Sequence, residues 1–440
     1  MTKQSLTNPR HNYNHLPFSP KKLPFFYGWA ILVFSALGIL MSMPGQTTGV
    51  SAFTEHLIRD LQISRSDLTF AYMIGTIASS LLLVYAGKIY DLVGARVICF
   101  WASIGLGITM LILSQLDKIT NFIAQYNSST YAVTAIMITL FFLSRFFGQG
   151  ILTLGSRNML MKWFDKKRGL ATALSGPIVT TGFSAAPFFL NKFIKATSWQ
   201  TVWLCLGIIS ITIFSAIILI FFRDNPEACG LRPDGDKNID NKTSTLTNQR
   251  QFTIAEVRHH LPYWSFALTL SLSGFYVTAM TFNIVSIFNQ AGMNAKTAFA
   301  ILIPGTIIAV ILNIIAGIIS DKIKPKYILM VMLLGIIIAN LSLCWLAPGI
   351  TVITLIIGNG IGAGLFGVIG NVTFPRFYGR EHLGAINGFT MSLMVFSSAI
   401  APWLFSKCLD LTGSYKTMSI ISVGIALLLL ISAFKADKPK

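Results

Sequence analysis

Arg145 is the residue whose position demands a chemical explanation. It lies within an apolar run from about 131 to 156 that holds no acidic residue. A cation at the centre of a membrane-spanning helix costs about 2.5–3.5 kcal/mol on insertion scales, so it should face protein or a watery cavity. Gln149 follows one turn later and Ser156 about three turns later, which places all three on one helix face. Gly148 and Gly150 let another helix approach closely. A guanidinium in this setting can hold an anion through a forked pair of charge-assisted hydrogen bonds. The competing reading is a structural arginine held by backbone carbonyls or by Gln46.

Other polar groups sit in apolar surroundings. In Met43-Pro44-Gly45-Gln46-Thr47-Thr48-Gly49, proline removes a donor and glycine loosens a helix. Backbone groups become available there, and Gln46 and Thr47 become candidates for contacting a substrate. A simple kink accounts for the same pattern. Tyr276, Thr281, Asn283 and Asn313 are weaker candidates, because such groups also join helices through bonds averaging about 0.6 kcal/mol. Asn359 stands 214 residues after Arg145 and is its counterpart in the second half. A neutral residue opposite a cation gives a net positive cavity, suited to an anion or zwitterion. The glycines Gly360, Gly364 and Gly367 read as helix packing.

No apolar run has a carboxylate near its centre. Glu55, Asp60, Asp67, Asp117 and Asp410 fall beside one set of loops, and the other eleven acidic residues beside the opposite set. Proton coupling through a buried carboxylate is therefore not expected. The five cysteines form no C-x-x-C pair, and His259-His260 lies in a polar loop. No metal site or disulfide framework is expected. No phosphate-binding loop, nucleophile elbow or HExxH helix occurs, so neither an enzyme nor a cofactor is expected.

Composition shows what must position these residues. Of 440 residues, 53% are apolar and 11% charged, against about 25% charged in a soluble domain. Mean hydropathy is +0.66. These values exclude an ordinary soluble enzyme or a disordered chain and predict a polytopic membrane protein. The expected spans are 26–53, 68–86, 97–116, 131–156, 170–191, 200–222, 263–289, 298–319, 327–346, 351–373, 384–406 and 417–434. The run beginning at Phe25 is too long for a cleavable signal core. The polar stretch 223–262 reads as a linker between a bundle over 26–222 and another over 263–434, with tails at 1–25 and 435–440. If both tails are cytoplasmic, the inner segments hold 25 Lys and Arg and the outer loops 8. That asymmetry predicts a multi-pass protein of the inner or plasma membrane with both termini inside. The net charge of +18 thus reports topology and calls for no nucleic acid.

The halves repeat each other. Gly75-Thr76-Ile77 returns as Gly305-Thr306-Ile307, and Ala86-Gly87 with Asp91 returns as Ala316-Gly317 with Asp321, both 230 residues later. Ala186-Pro187 and Lys192 return as Ala401-Pro402 and Lys407. Parallel repeats of six spans place a transported solute between the halves, near the midplane.

The loop after span two, Gly87-Lys-Ile-Tyr-Asp91-Leu-Val-Gly94-Ala-Arg96, resembles the G-x-x-x-D-x-x-G-x-R signature of the major facilitator superfamily. A degraded copy with Gly317 and Asp321 follows span eight. Tyr27-Gly28-Trp29, the Trp163–Ala171 stretch and Asn225-Pro226 through Gly235 resemble the bacterial branch of monocarboxylate porters and oxalate/formate antiporters. Members of that branch often carry a basic residue in span eight or eleven; here neither span has one. The resemblance implies an all-α membrane fold of two pseudo-symmetric six-helix bundles. It further implies a secondary transporter working by alternating access on a small organic anion or zwitterion such as a monocarboxylate. It implies a conformational gate in which Asp91, neutralised by Arg96, clamps the start of span eleven near Gly384, and Asp321 does the same near Gly169. Helix N-termini favour such carboxylates. The expected partners are the bilayer, one small solute and either a coupling proton or a counter-substrate, with the chain working as a monomer. Two alternatives stay open: an exporter of amphipathic compounds such as drugs or siderophores, and a transport-dead receptor or sensor.

Overall fold

The computed structural model describes residues 15–126, 130–236 and 250–439. The start of the expected tail (1–14), part of the loop after span three (127–129), the middle of the linker (237–249) and residue 440 lie outside them. The described residues are helical, without strands. Twelve helices are long and apolar enough to cross a membrane: α1 Gly28–Gly45, α2 Arg65–Val93, α3 Ala95–Leu113, α4 Ala132–Trp163, α5 Arg168–Ala196, α6 Trp199–Phe221, α7 Leu261–Gln290, α8 Lys296–Ser320, α9 Pro325–Cys344, α10 Ile350–Tyr378, α11 Leu383–Thr412 and α12 Lys416–Phe434. A helix satisfies its own backbone groups, which hydrocarbon cannot do. Helices α1–α6 and α7–α12 form the two bundles. The bundles meet chiefly where α2 crosses α11 and where α5 crosses α8.

Several helices run past their expected ends, α2 to Val93, α5 to Ala196, α10 to Tyr378 and α11 to Thr412, and two further spans differ internally. The expected continuous span 26–53 is broken. Regular α-helix ends at Met41, a 3-10 turn covers Met43–Gly45, Gln46 is extended, and a new helix runs from Thr47 to Ser51. Pro44 causes the break, since it has no N–H to give to the preceding turn. The expected span 131–156 continues to Trp163. Residues Arg145–Leu152 within α4 form a π-helical segment, in which hydrogen bonds skip one extra residue.

One end of the molecule gathers both described chain ends, the linker and the α8–α9 turn. Beyond α6, Arg223 donates to the carbonyls of Leu16 (2.8 Å) and Phe18 (3.3 Å). Beyond α12, Asp437 pairs with Lys326 at 2.6 Å. In the linker, Asp234 accepts from the backbone N–H of Lys166 at 2.8 Å, in the α4–α5 turn.

Candidate functional site

At that end, two carboxylates reach from one bundle to the other. Asp91, in the last turn of α2, accepts from the N–H groups of Gly384 and Ala385, each at 2.8 Å. These donors lie in the first turn of α11, which has no earlier carbonyl to serve them. Gly87 makes the approach feasible: a Cβ there would stand 2.1 Å from the Gly384 carbonyl oxygen. Asp321, just past α8, accepts from Gly169 N–H at 2.7 Å and Leu170 N–H at 3.2 Å, at the start of α5. Here Gly169 and Gly317 are the facing pair. Burial pushes the Asp321 carboxyl above its ordinary value, with the two backbone bonds opposing.

Arg96 is not beside Asp91. Gly94, at φ +84°, turns the chain between α2 and α3, and a Cβ there would collide with Asp224. This turn carries Arg96 toward α6, where its guanidinium donates to the Leu219 carbonyl and its backbone N–H donates to Asp224 at 3.0 Å. The cation near Asp91 is instead Lys162, at 4.0 Å.

Near mid-membrane, Arg145 is 2% exposed. Its Nη1 donates weakly to the Gly45 carbonyl (3.4 Å) and to Thr47 Oγ1 (3.3 Å), and its guanidinium lies 5.2 Å from the Tyr72 ring centre. Tyr72 OH also donates to Thr47 Oγ1, at 3.0 Å. The Pro44 break supplies this arrangement by turning the chain between Gly45 and Thr47. Arg145 Nε and Gln149 Oε1 are buried without a partner. Gln46 donates to Ser42 Oγ (3.1 Å) and Thr153 Oγ1 (3.2 Å), so it serves the α1–α4 seam.

The second-half candidates are dispersed. Asn359 does not contact Arg145; its Oδ1 accepts from Tyr276 OH at 2.6 Å within the second bundle. Asn283 donates to the Ala279 carbonyl and accepts from Ser406 and Tyr415 at 3.5 Å. Asn313 donates to the Gly364 carbonyl at 3.1 Å. Its other face lies against α5, where a Cβ on Gly176 would stand 2.0 Å from its Oδ1. The structure therefore joins Arg145 and Thr47, places Gln46 and Gln149 on neighbouring turns, pairs Tyr276 with Asn359, and separates Asn283 and Asn313 from both groups.

An opening between the bundles lies elsewhere. About 340 Å³ of space is bordered by Arg157 and Asn158 of α4, Leu270 of α7, Gly370 of α10, and Asn387 and Thr390 of α11. Asn387 Nδ2 donates to Asn158 Oδ1, closing the space from one bundle to the other. Arg157 Nε is buried and unpartnered, and no carboxylate stands near enough to influence the group. Sequence reading missed Arg157 because it ended span four at Ser156 and counted this cation among loop residues. The apolar run Met159-Leu160-Met161, followed by Trp163, was the available signal that the helix continues.

Two bundles of six helices, with polar groups in the seam and paired carboxylate contacts at one end, define a secondary transporter. The Major Facilitator Superfamily model matches residues 34–402, and the chain belongs to that family. It is 25% identical over 400 residues to a probable nitrate transporter, NarT, of Staphylococcus epidermidis, covering 88% of this chain and 92% of the relative. The corresponding protein of Staphylococcus carnosus is 24% identical, covering 86% and 89%. Among solved structures, the proton:xylose symporter XylE superposes with a TM-score of 0.68 at 15% identity, covering 93% of this chain and 95% of that one. The E. coli fucose:proton symporter FucP does so with 0.62 at 12%, covering 94% and 100%. These two structures support the fold alone. The chain is thus a multi-pass membrane transporter, not an enzyme.

Proposed function

We propose that this transporter carries a small planar oxyanion, nitrate or a short monocarboxylate, between its two bundles. Arg157 carries this reading: it is a part-buried cation bordering the inter-bundle space, its Nε is buried without a partner, and no carboxylate pairs with it among the described residues. An unpaired buried charge costs several kcal/mol, which a bound anion relieves. A planar oxyanion also matches the guanidinium fork. Asn158, Asn387 and Thr390 supply the neutral polar groups around it. The relatives named as nitrate transporters favour the same charge class.

In this reading the end holding the linker is cytoplasmic, consistent with its excess of Lys and Arg. The conformation described is closed at that end, and Asp91 and Asp321 act as the clamps. Inward anion movement against a negative-inside potential costs about 2.3 kcal/mol per 100 mV, so a counter-anion or a cotransported cation must accompany it.

The test is uptake of labelled nitrate and formate into proteoliposomes. Arg157→Gln should abolish uptake of both. Arg157→Lys should retain a minor fraction, because it keeps charge and loses the fork. Uptake by Arg157→Gln at the wild-type rate would reject the reading.

A further inference from the structure

We propose that α4 carries a second anion station at Arg145, in series with Arg157; this rests on the small-oxyanion reading above. Twelve residues separate the two arginines. At about 100° per residue in a regular helix, they would point roughly 120° apart. The π segment Arg145–Leu152 lies between them. One inserted residue removes about 100° of that rotation, leaving the two within roughly 20°. The packing agrees with this phase. Phe147 turns to the back of the bundle against Gly105 of α3, while Gly148 meets Gly45 of α1. The π insertion thus aligns both cations along the same side of α4, about 17 Å apart along its axis.

The Arg145 position has the features of a site held ready. Its Nε has no partner, and its two Nη1 bonds are long, at 3.3 and 3.4 Å. The Tyr72 ring lies against the same guanidinium, and its hydroxyl donates to Thr47 Oγ1. The Tyr72 ring lies 6.5 Å from Phe282 of α7, so this cluster borders the opposite bundle. An arriving oxyanion would take Arg145 Nε and the Tyr72 hydroxyl as donors, displacing the weak bonds to α1. Arg145 lies near mid-membrane, and Arg157 lies nearer the clamped end. An anion entering from the opposite end therefore meets Arg145 first and Arg157 after it.

The experiment is calorimetric titration of the purified full-length chain with nitrate, and separately with formate. Two equivalents per chain are expected for the wild type, one for Arg145→Gln and one for Arg157→Gln. Tyr72→Phe should keep both equivalents but weaken one about tenfold, the scale of a lost hydrogen bond to a charged group. A single wild-type equivalent lost only in Arg157→Gln overturns the second station and leaves the oxyanion reading intact. Loss of all binding in well-folded Arg145→Gln means one shared site and also overturns it. If Arg145→Gln does not fold, Tyr72→Phe and Thr47→Val decide: isotherms unchanged from wild type in both overturn the station. No binding of either anion to the wild type overturns both the station and the reading beneath it.

Discussion

The two clamps at the linker end share one design and differ in strength. At the α2–α11 crossing, Asp91 makes two bonds of 2.8 Å and has Lys162 at 4.0 Å. At the α5–α8 crossing, Asp321 makes bonds of 2.7 and 3.2 Å, and no lysine pairs with it. Arg376, a cation that acts electrostatically on Asp321, spends its Nη1 on the carbonyls of Ser320 and Ile323. The sequence copies differ in the same sense: the first loop keeps the full glycine, aspartate and arginine spacing, and the second lacks the later glycine and arginine. A pseudo-symmetric fold thus needs the carboxylate-to-helix bond on both sides but builds a fuller electrostatic surround on one.

The largest expected effect comes from the backbone contact beneath each carboxylate. Gly87→Val and Gly169→Val place side chains where a Cβ already comes within 2.1 and 2.0 Å of a facing carbonyl oxygen. Both should prevent closure and cut proteoliposome uptake by more than about tenfold, since overpacking a tight contact costs about 1–3 kcal/mol or more. Normal uptake by either variant would mean that its crossing does not close during transport.

Next in size is removal of the charges. Asp91→Asn loses a charge-assisted pair of bonds, each worth about 1.5–3 kcal/mol, and its attraction to Lys162. It should shift the protein toward the inward-open state, reduce transport by about tenfold, and leave substrate affinity less affected. Asp321→Asn should do less, because one of its two backbone bonds is already long and no lysine pairs with it. Labelling of a cysteine introduced at Thr390 from the linker side reads both shifts. Equal labelling in the two variants would erase the distinction between the clamps.

The smallest effect concerns the outer layer of the closed end. Arg380, in the α10–α11 turn, donates to the Lys162 carbonyl at 2.5 Å and pairs with Glu227 of the linker at 2.7 Å. Glu227 is half exposed, so Glu227→Gln should change closure by less than about 1 kcal/mol. Arg380→Ala also removes the bond across the bundles and should exceed it in the same assay.

The twelve-helix, two-bundle architecture was legible in the residues because it depends on local quantities. Twenty apolar residues in a row must span, and paired Gly and Asp positions after spans two and eight announce equivalent turns. Arg145 was legible as a buried cation for the same reason: a charge in an apolar run needs no neighbour to be noticed. What the charge touches was not legible. Only the fold decided that Asn359 would bond Tyr276 while Arg145 turned to Gly45 and Thr47. Only the fold exchanged Arg96 for Lys162 beside Asp91, through the turn at Gly94. The π segment added one residue to α4 and reset the face of everything after it, including Arg157. Helix existence follows from hydrophobicity summed along the chain. Helix phase, and hence the partner each polar group meets, follows from contacts between segments hundreds of residues apart.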